Sequence, residues 1–382
     1  MRISTCVGCT LFVAILANVM GCSVRPDSSV LEPALRTPSY TDKVNILVAT
    51  TRARGSAVDP NAFTAERAKE LQFADLTISI PTHHVAGEIE WPDQIPPDPL
   101  LHFVTTDRQF LDGTEFLSRI RTRARQGGDE ANSVLVFIHG YNTLYEEAVY
   151  WFAQIVHDSG YRGTAILFSW PSLGKAPMYV ADREASTYSR DYLDQALQEI
   201  SRLSEVHEIN ILAHSMGNWL AVETLRQAKL EGHGSYNGKL GEVILASPDL
   251  DVTVFRTQLD IIDPLPRPIT ILVSGDDKAL ALSTALAGGV DRAGRVTAND
   301  ARVLAAAKRY QLNVVDLTAV DDGQGNHHSK YSKSAPVIEA IGRKLEKGSG
   351  GDTGTSGVVT AVTDVGNSLL KVPAALVGGS SQ

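Results

Sequence analysis

The sequence predicts an α/β architecture, a mostly parallel eight-stranded sheet with helices on both faces, from three observations. Short runs rich in Val, Ile and Leu recur along the chain without the polar alternation of a one-sided sheet. Stretches with helical periodicity separate most of these runs. One run leads through Ala213-His214-Ser215-Met216-Gly217 straight into a helical pattern, so a serine stands on the turn between a strand and a helix.

The elements follow in order. Residues 1–21 read as a targeting segment: Arg2 supplies a positive charge, 11–20 an apolar stretch too short to span a bilayer, and Val19-Met20-Gly21-Cys22 a cleavage signal. Gly21 before Cys22 resembles a bacterial lipobox, which implies a lipid on Cys22 and a cell-envelope location. Ser23, in place of Asp, favours the outer membrane in lipoproteins of this kind. Residues 22–41, polar and proline-bearing, read as a tether. One domain is expected over 42–347, with strands at 44–50, 76–80, 134–138, 164–168, 209–212, 242–245, 269–273 and 313–317. No helical pattern separates the first two runs, which suits an antiparallel hairpin. Helices are expected at 145–158, 183–203, 218–230 and 298–309. The tail 348–382 opens on a Gly/Ser-rich flexible linker and continues into a weak apolar segment.

Composition excludes several classes of function. The net charge of −9 over 382 residues, with no strongly basic run, argues against a nucleic-acid partner. Cys6, Cys9 and Cys22 are the three cysteines, so residues 42–347 hold neither a disulfide nor a thiolate metal site. His83-His84 has no further ligand close in sequence and reads as a loop, and no metal site is expected. No phosphate-binding loop or dinucleotide fingerprint is present, and no cofactor is expected.

A serine on such a turn suits nucleophilic catalysis. Ala213 and Gly217, two residues to either side of Ser215, are small enough for strand and helix to pass closely. The turn puts Ser215 at a helix N-terminus, where the Met216 N–H can meet a developing oxyanion. A second donor is expected from the loop after an earlier strand. There Gly140 in His139-Gly140-Tyr141-Asn142 lets the chain turn the Tyr141 N–H toward the serine. A base and an acid should follow in the order Ser, Asp or Glu, His. Ile271-Leu-Val-Ser-Gly-Asp276-Asp277 and the segment ending Asn326-His327-His328 supply both at strand ends, and Asp249 after the preceding strand competes for the acid role. One of Asp276 and Asp277 is also expected to cap the next helix.

The chain resembles the bacterial α/β-hydrolase family carried as a domain of unknown function, DUF900. The matching stretches are Val48-Ala-Thr-Thr-Arg52, Ser79-Ile-Pro-Thr-His-His84, Val136-Phe-Ile-His-Gly-Tyr-Asn142, Phe168-Ser-Trp-Pro-Ser172 and Tyr179-Val-Ala-Asp-Arg-Glu-Ala-Ser186. Leu212-Ala-His-Ser-Met-Gly217, Ala246-Ser-Pro-Asp-Leu-Asp251 and Asp277-Lys-Ala-Leu-Ala-Leu-Ser283 complete them, and together they run from about 46 to 344. The resemblance implies an α/β-hydrolase fold, with Asp277 as acid and His328 as base and with Asp276 and His327 as neighbouring alternates. Trp170, Tyr179 and Asp182 are read either as the wall of an acyl or alcohol pocket or as a packed cap. The expected chemistry is that of a lipid-anchored serine hydrolase acting on a small ester. Thioester, amide and acyl-transfer chemistry are open to the same residues, as is a non-catalytic binding role on a hydrolase scaffold.

Overall fold

The computed structural model describes residues 25–34, 36, 38–55, 62–126, 132–297, 299–323, 325–347 and 359–361. The targeting segment with Cys22, and the tail apart from 359–361, lie outside the described residues.

All eight expected runs are strands: β1 (Asp42–Arg54), β2 (Phe63–Ile80), β4 (Ser133–Ile138), β5 (Thr164–Ser169), β6 (Glu208–His214), β7 (Leu240–Ala246), β8 (Thr270–Val273) and β9 (Asn313–Asp316). Two more join them, β3 (Val104–Leu111) and β10 (Val359–Ala361). The ten form one sheet in the order β10-β9-β8-β7-β6-β4-β5-β1-β2-β3. From β10 to β1 every pairing is parallel, while β1–β2 and β2–β3 are antiparallel. β10 lies within the tail read as flexible. Its backbone pairs with β9 from Val359 opposite Val314 to Ala361 opposite Asp316.

The central strands are mostly apolar because each feeds two cores. In β4, Val134, Val136 and Ile138 face one core and Leu135 and Phe137 the other. In β6, Ile209, Ile211 and Ala213 oppose Leu212 in the same way. Successive side chains of a strand point to opposite faces, so a sheet covered on both sides needs apolar residues at every position.

Helices α1 (Gly113–Gln126), α2 (Tyr145–Ser159), α3 (Tyr179–Tyr188), α4 (Arg190–Ser201) and α5 (Met216–Leu230) alternate with the first strands. α6 (Val252–Ile262), α7 (Lys278–Leu286), α8 (Ala301–Arg309), α9 (Lys330–Lys333) and α10 (Ala335–Lys347) follow. The single helix expected at 183–203 is two, α3 and α4, divided at Ser189, whose hydroxyl lies 2.7 Å from that of Thr51 on β1. Among the described residues no helix is long and apolar enough to cross a membrane.

The tether reading of 22–41 requires correction over its described part. Val30 and Leu31 are buried in the core, and the Val30 carbonyl accepts the Tyr150 hydroxyl at 2.6 Å. Two apolar residues in a short 3-10 turn (Ser28–Leu31) suffice to fasten this segment to α2 and β3.

Candidate active site

Chain order places the site. β5 and β6 leave β4 on opposite sides, so the C-terminal end of β4 is a switch point where connections part and a crevice opens. The loops after β4, β6, β7, β8 and β9 all gather at that edge of the sheet.

Ser215 stands between β6 and α5 with φ +53° and ψ −121°, a conformation open to glycine and strained for any L residue. Its surroundings hold it there. The Ser215 N–H donates to Ala246 O (3.0 Å), and its carbonyl accepts from the N–H of Asn218 (3.1 Å), the Asn218 side chain (3.0 Å) and the Asp249 N–H (3.3 Å). Gly217 admits the close approach of strand and helix: a Cβ there would lie 2.5 Å from His139 O and 2.6 Å from Ile138 O. Met216 is the first residue of α5, so its N–H is among the four that an α-helix leaves without an internal acceptor.

The loop after β4 packs on the serine. A Cβ on Gly140 would meet Ser215 Cβ and His214 Nδ1, each at 2.9 Å, so only glycine lets this backbone lie against the elbow. Polar contacts fix the loop on all sides. Asp182, wholly buried, accepts from the Asn142 N–H (3.0 Å), the Ser172 hydroxyl (2.6 Å) and the Leu173 N–H (2.8 Å). Arg52, also buried, donates to Thr143 O (3.1 Å), Ser172 O (3.1 Å) and Ser169 Oγ (3.0 Å). Burial pulls its guanidinium down to about 10, which leaves it charged at neutral pH. Beside it His139 is neutral, because burial and then the Arg52 charge lower its ring to about 3. The neutral ring bonds Gly140 O through Nδ1 (2.9 Å) and Ser169 Oγ through Nε2 (3.1 Å). Trp170 stacks on it at 4.9 Å and donates its indole N–H to His139 O.

Asp277 and His328 meet across the site: the imidazole Nδ1–H donates to Asp277 Oδ2 at 2.7 Å. Asp277 is wholly buried, and its other oxygen accepts the Leu280 N–H at 2.9 Å as the N-cap of α7. One carboxylate thus both caps the helix and orients the ring. Two groups hold the His328 carbonyl, the Ser247 hydroxyl at 3.0 Å and His214 Nε2 at 3.2 Å. The His214 ring lies 4.7 Å from that of His328. It stays neutral, since burial, followed by the nearness of His328, lowers it well below the ordinary histidine range.

The alternates lie elsewhere. His327 pairs with Asp322 at 2.6 Å. Asp276 binds the buried Lys330 ammonium at 2.9 Å and the Ser274 hydroxyl. Asp249 accepts the hydroxyls of Tyr179 (2.7 Å) and Ser283 (2.6 Å) and faces Arg292 at 3.2 Å, and no histidine is among these partners. Of the three residues offered as a pocket wall, Trp170 and Asp182 are packed cap, fully buried beneath the loop. Tyr179 is half-buried. Burial, then the Asp249 charge, pushes its hydroxyl up to about 12, so it remains the donor.

The sequence reading missed the supporting groups Arg52, Ser247 and Arg25. Arg52 lies just past the apolar run 44–50, among Thr50, Thr51 and Arg54, so no local pattern marks it as buried. The same reading also set His84 aside as lacking ligands close in sequence. His84 is instead clamped by Glu90 and Asp158, each at 2.8 Å, and Asp158 also accepts from His157 at 2.9 Å. Glu90 lies six residues further along the same connection after β2, whereas Asp158 and His157 come from the end of α2 and reach His84 only on folding.

Comparison with known proteins adds the following. No curated protein matches the chain. Among solved structures it is similar to Aspergillus fumigatus lipase B at 14% identity and a TM-score of 0.35, over 56% of this chain and 52% of that one. The chain thus spans about half the length of that lipase. It is also similar to a solved structure from an analysis of two fungal esterases of Rhizomucor miehei, at 12% identity and a TM-score of 0.33, over 80% of this chain and 85% of that one. A family model matches residues 116–344, the span that carries Tyr141, Ser215, Asp277 and His328, and the chain belongs to that family, the alpha/beta hydrolases of unknown function designated DUF900.

Proposed function

We propose that the chain is a serine hydrolase of carboxylic esters, anchored to the cell envelope by a lipid on Cys22. The observation that carries the reading is the 2.7 Å bond from His328 to buried Asp277 at the edge of the sheet where strained Ser215 turns into α5. Because Nδ1 donates to the carboxylate, Nε2 carries the lone pair and can take a proton.

The steps then follow from the residues. His328 Nε2 accepts the Ser215 hydroxyl proton as Oγ attacks the ester carbonyl. The N–H groups of Tyr141 and Met216 hold the oxyanion, and Asp277 stabilises the imidazolium. The imidazolium gives its proton to the departing alkoxide, leaving an acyl-serine and an alcohol. Water, deprotonated by the same histidine, attacks the acyl-serine and releases the acid. Every protein group in these steps is a side chain or backbone amide, and an oxygen ester supplies the alkoxide leaving group that they require.

A fluorophosphonate probe tests the reading. Wild-type protein should be labelled at Ser215 and should hydrolyse short p-nitrophenyl esters, and Ser215→Ala should do neither. Wild type left unlabelled under conditions that label a known serine hydrolase would remove the enzymatic role. Labelled palmitate incorporation that persists in Cys22→Ser would remove the anchor.

A further inference from the structure

The N-terminal segment ends on the catalytic loop. Arg25 donates to Asn142 O (2.7 Å), Asn142 Oδ1 (3.0 Å) and Gly174 O (2.6 Å), and its Nε donates to Glu147 at 2.7 Å. Asn142 follows Tyr141 directly, so the guanidinium is pinned to the loop that lies against Ser215. Cys22 is three residues before Arg25. Three residues of extended chain reach at most about 10–11 Å. A lipid on Cys22 therefore holds the Arg25 backbone within about that distance of a membrane surface, with the sheet edge one arginine side chain further.

The same edge exposes apolar side chains. Met178 and Val180 flank Tyr179, and Val180 is 72% exposed. Leu282 and Leu286, four residues apart and so on one face of α7, are exposed as well. The Tyr179 and Ser283 hydroxyls lie 3.1 Å apart, so the two pairs surround a single contact beside Asp249, whose N–H binds Ser215 O. A second exposed apolar group, Val85, Ile95, Leu100 and Leu101, sits on the connection between β2 and β3. That connection leaves the sheet at Ile80, paired with Asp42 at the start of β1, which is the opposite edge.

We propose that the Met178–Val180 and Leu282–Leu286 edge lies on the bilayer that carries the anchor, and that the substrate is an acyl ester drawn from that bilayer. This rests on the readings of Cys22 as lipidated and of Ser215 as the nucleophile. The anchor sets the distance and the apolar side chains set the face. An ester with long acyl chains can then pass from the membrane toward Ser215 without first crossing water.

The test reads orientation without needing turnover. All three cysteines lie at or before Cys22, so one cysteine introduced into the folded domain is a clean labelling site. The full-length protein, expressed with its leader and carrying Val180→Cys, Leu286→Cys, Leu101→Cys or Leu230→Cys, is labelled with an environment-sensitive fluorophore. It is then reconstituted in phosphatidylcholine–phosphatidylglycerol vesicles containing a nitroxide-labelled lipid. Leu230 ends α5, about 20 Å along that helix from Ser215. Probes at positions 180 and 286 should be quenched several-fold more than those at 101 and 230. Equal quenching at all four, or stronger quenching at 101, would overturn the proposal. Labelled palmitate on the same preparation separates the causes: incorporation with an even pattern refutes the orientation, and no incorporation refutes the anchor beneath it. Fluorophosphonate labelling of the same samples reports independently on Ser215.

Discussion

Replacing Ser215 with glycine should remove the chemistry and stabilise the fold. The residue is held at φ +53° and ψ −121°, a region that costs a non-glycine residue about 1–3 kcal/mol. Four hydrogen bonds to its backbone keep the turn in place whatever side chain it carries. Alanine retains Cβ and so retains the strain. Glycine relieves it, but adds freedom to the unfolded chain worth about 0.5–1 kcal/mol. Ser215→Gly should therefore be more stable than Ser215→Ala by about 1 kcal/mol, within a range of about 0–2.5. For a domain of this size that difference amounts to about 2 °C in Tm. The assay is a paired thermal melt of the two variants, backed by urea titrations in which the midpoint shifts and the slope does not. Both variants should be inactive toward p-nitrophenyl esters. If Ser215→Gly melts clearly below Ser215→Ala, backbone strain at the elbow is not what the dihedral angles imply, and the reasoning fails.

Four further outcomes can be checked alongside it. Gly217→Ala forces a methyl to within 2.6 Å of two backbone carbonyl oxygens, so denaturant titration should show a loss of about 1–3 kcal/mol together with reduced activity. His328→Ala should lower kcat/KM by about 10³-fold or more, whereas His327→Ala, which loses its contact with Asp322, should stay within about tenfold of wild type. Asp277→Asn should cost about 10⁴-fold in rate with little change in Tm, because an asparagine can still cap α7. Asp249→Asn should instead lower stability, by about 3 kcal/mol or more, because it strips the buried Arg292 of its counter-charge. Around His84, burial pulls the ring down while Asp158 and Glu90 push it up more strongly, and the net shift is upward. A raised folded value means stability present in full below the unfolded histidine range, near 6.5, and lost as pH rises through the folded value. The Tm advantage of wild type over His84→Gln should accordingly shrink as pH increases, and an advantage that grows with pH would contradict the clamp.

The parallel strands were legible because a sheet covered on both sides favours apolar residues on both faces, as in β4 and, apart from Asn210, in 209–213 of β6. β3 was not legible. Its Thr106, Asp107, Arg108 and Gln109 belong to an edge strand, and the pattern of a core strand is absent from them. The first half of β2 was missed for a related reason: Glu66, Lys69 and Glu70 favour helices in isolation, and pairing with β1 overrides that preference. At the site, local sequence located Ser215 and its two small neighbours, since the strand, turn and helix are contiguous. Choosing between His327 and His328, or between Asp249 and Asp277, required distances across the sheet, because each of the four lies at a strand end and each has a polar partner.

The supporting groups define how the elbow keeps its shape. Its walls are a loop with glycine at 140 and a helix with glycine at 217, and neither glycine can supply a side chain to brace the other. Bracing comes from the rear, where Arg52, Asp182, His139 and Ser172 tie the loop to β1, β5 and α3 through buried hydrogen bonds. Among the described residues the Arg52 guanidinium has no carboxylate hydrogen-bond partner and donates mainly to carbonyl oxygens. Its charge is therefore balanced by dipoles and by the more distant Glu146 and Asp182. Such a cation orders the carbonyls of Thr143 and Ser172 around itself, while the N–H groups of Asn142, Thr143 and Leu144 donate to Asp182, Ser172 and Glu147. The same loop also receives Arg25. Two arginines thus grip successive backbone carbonyls of one short segment, Asn142 O from Arg25 and Thr143 O from Arg52, starting two residues beyond the Gly140 backbone that packs on Ser215.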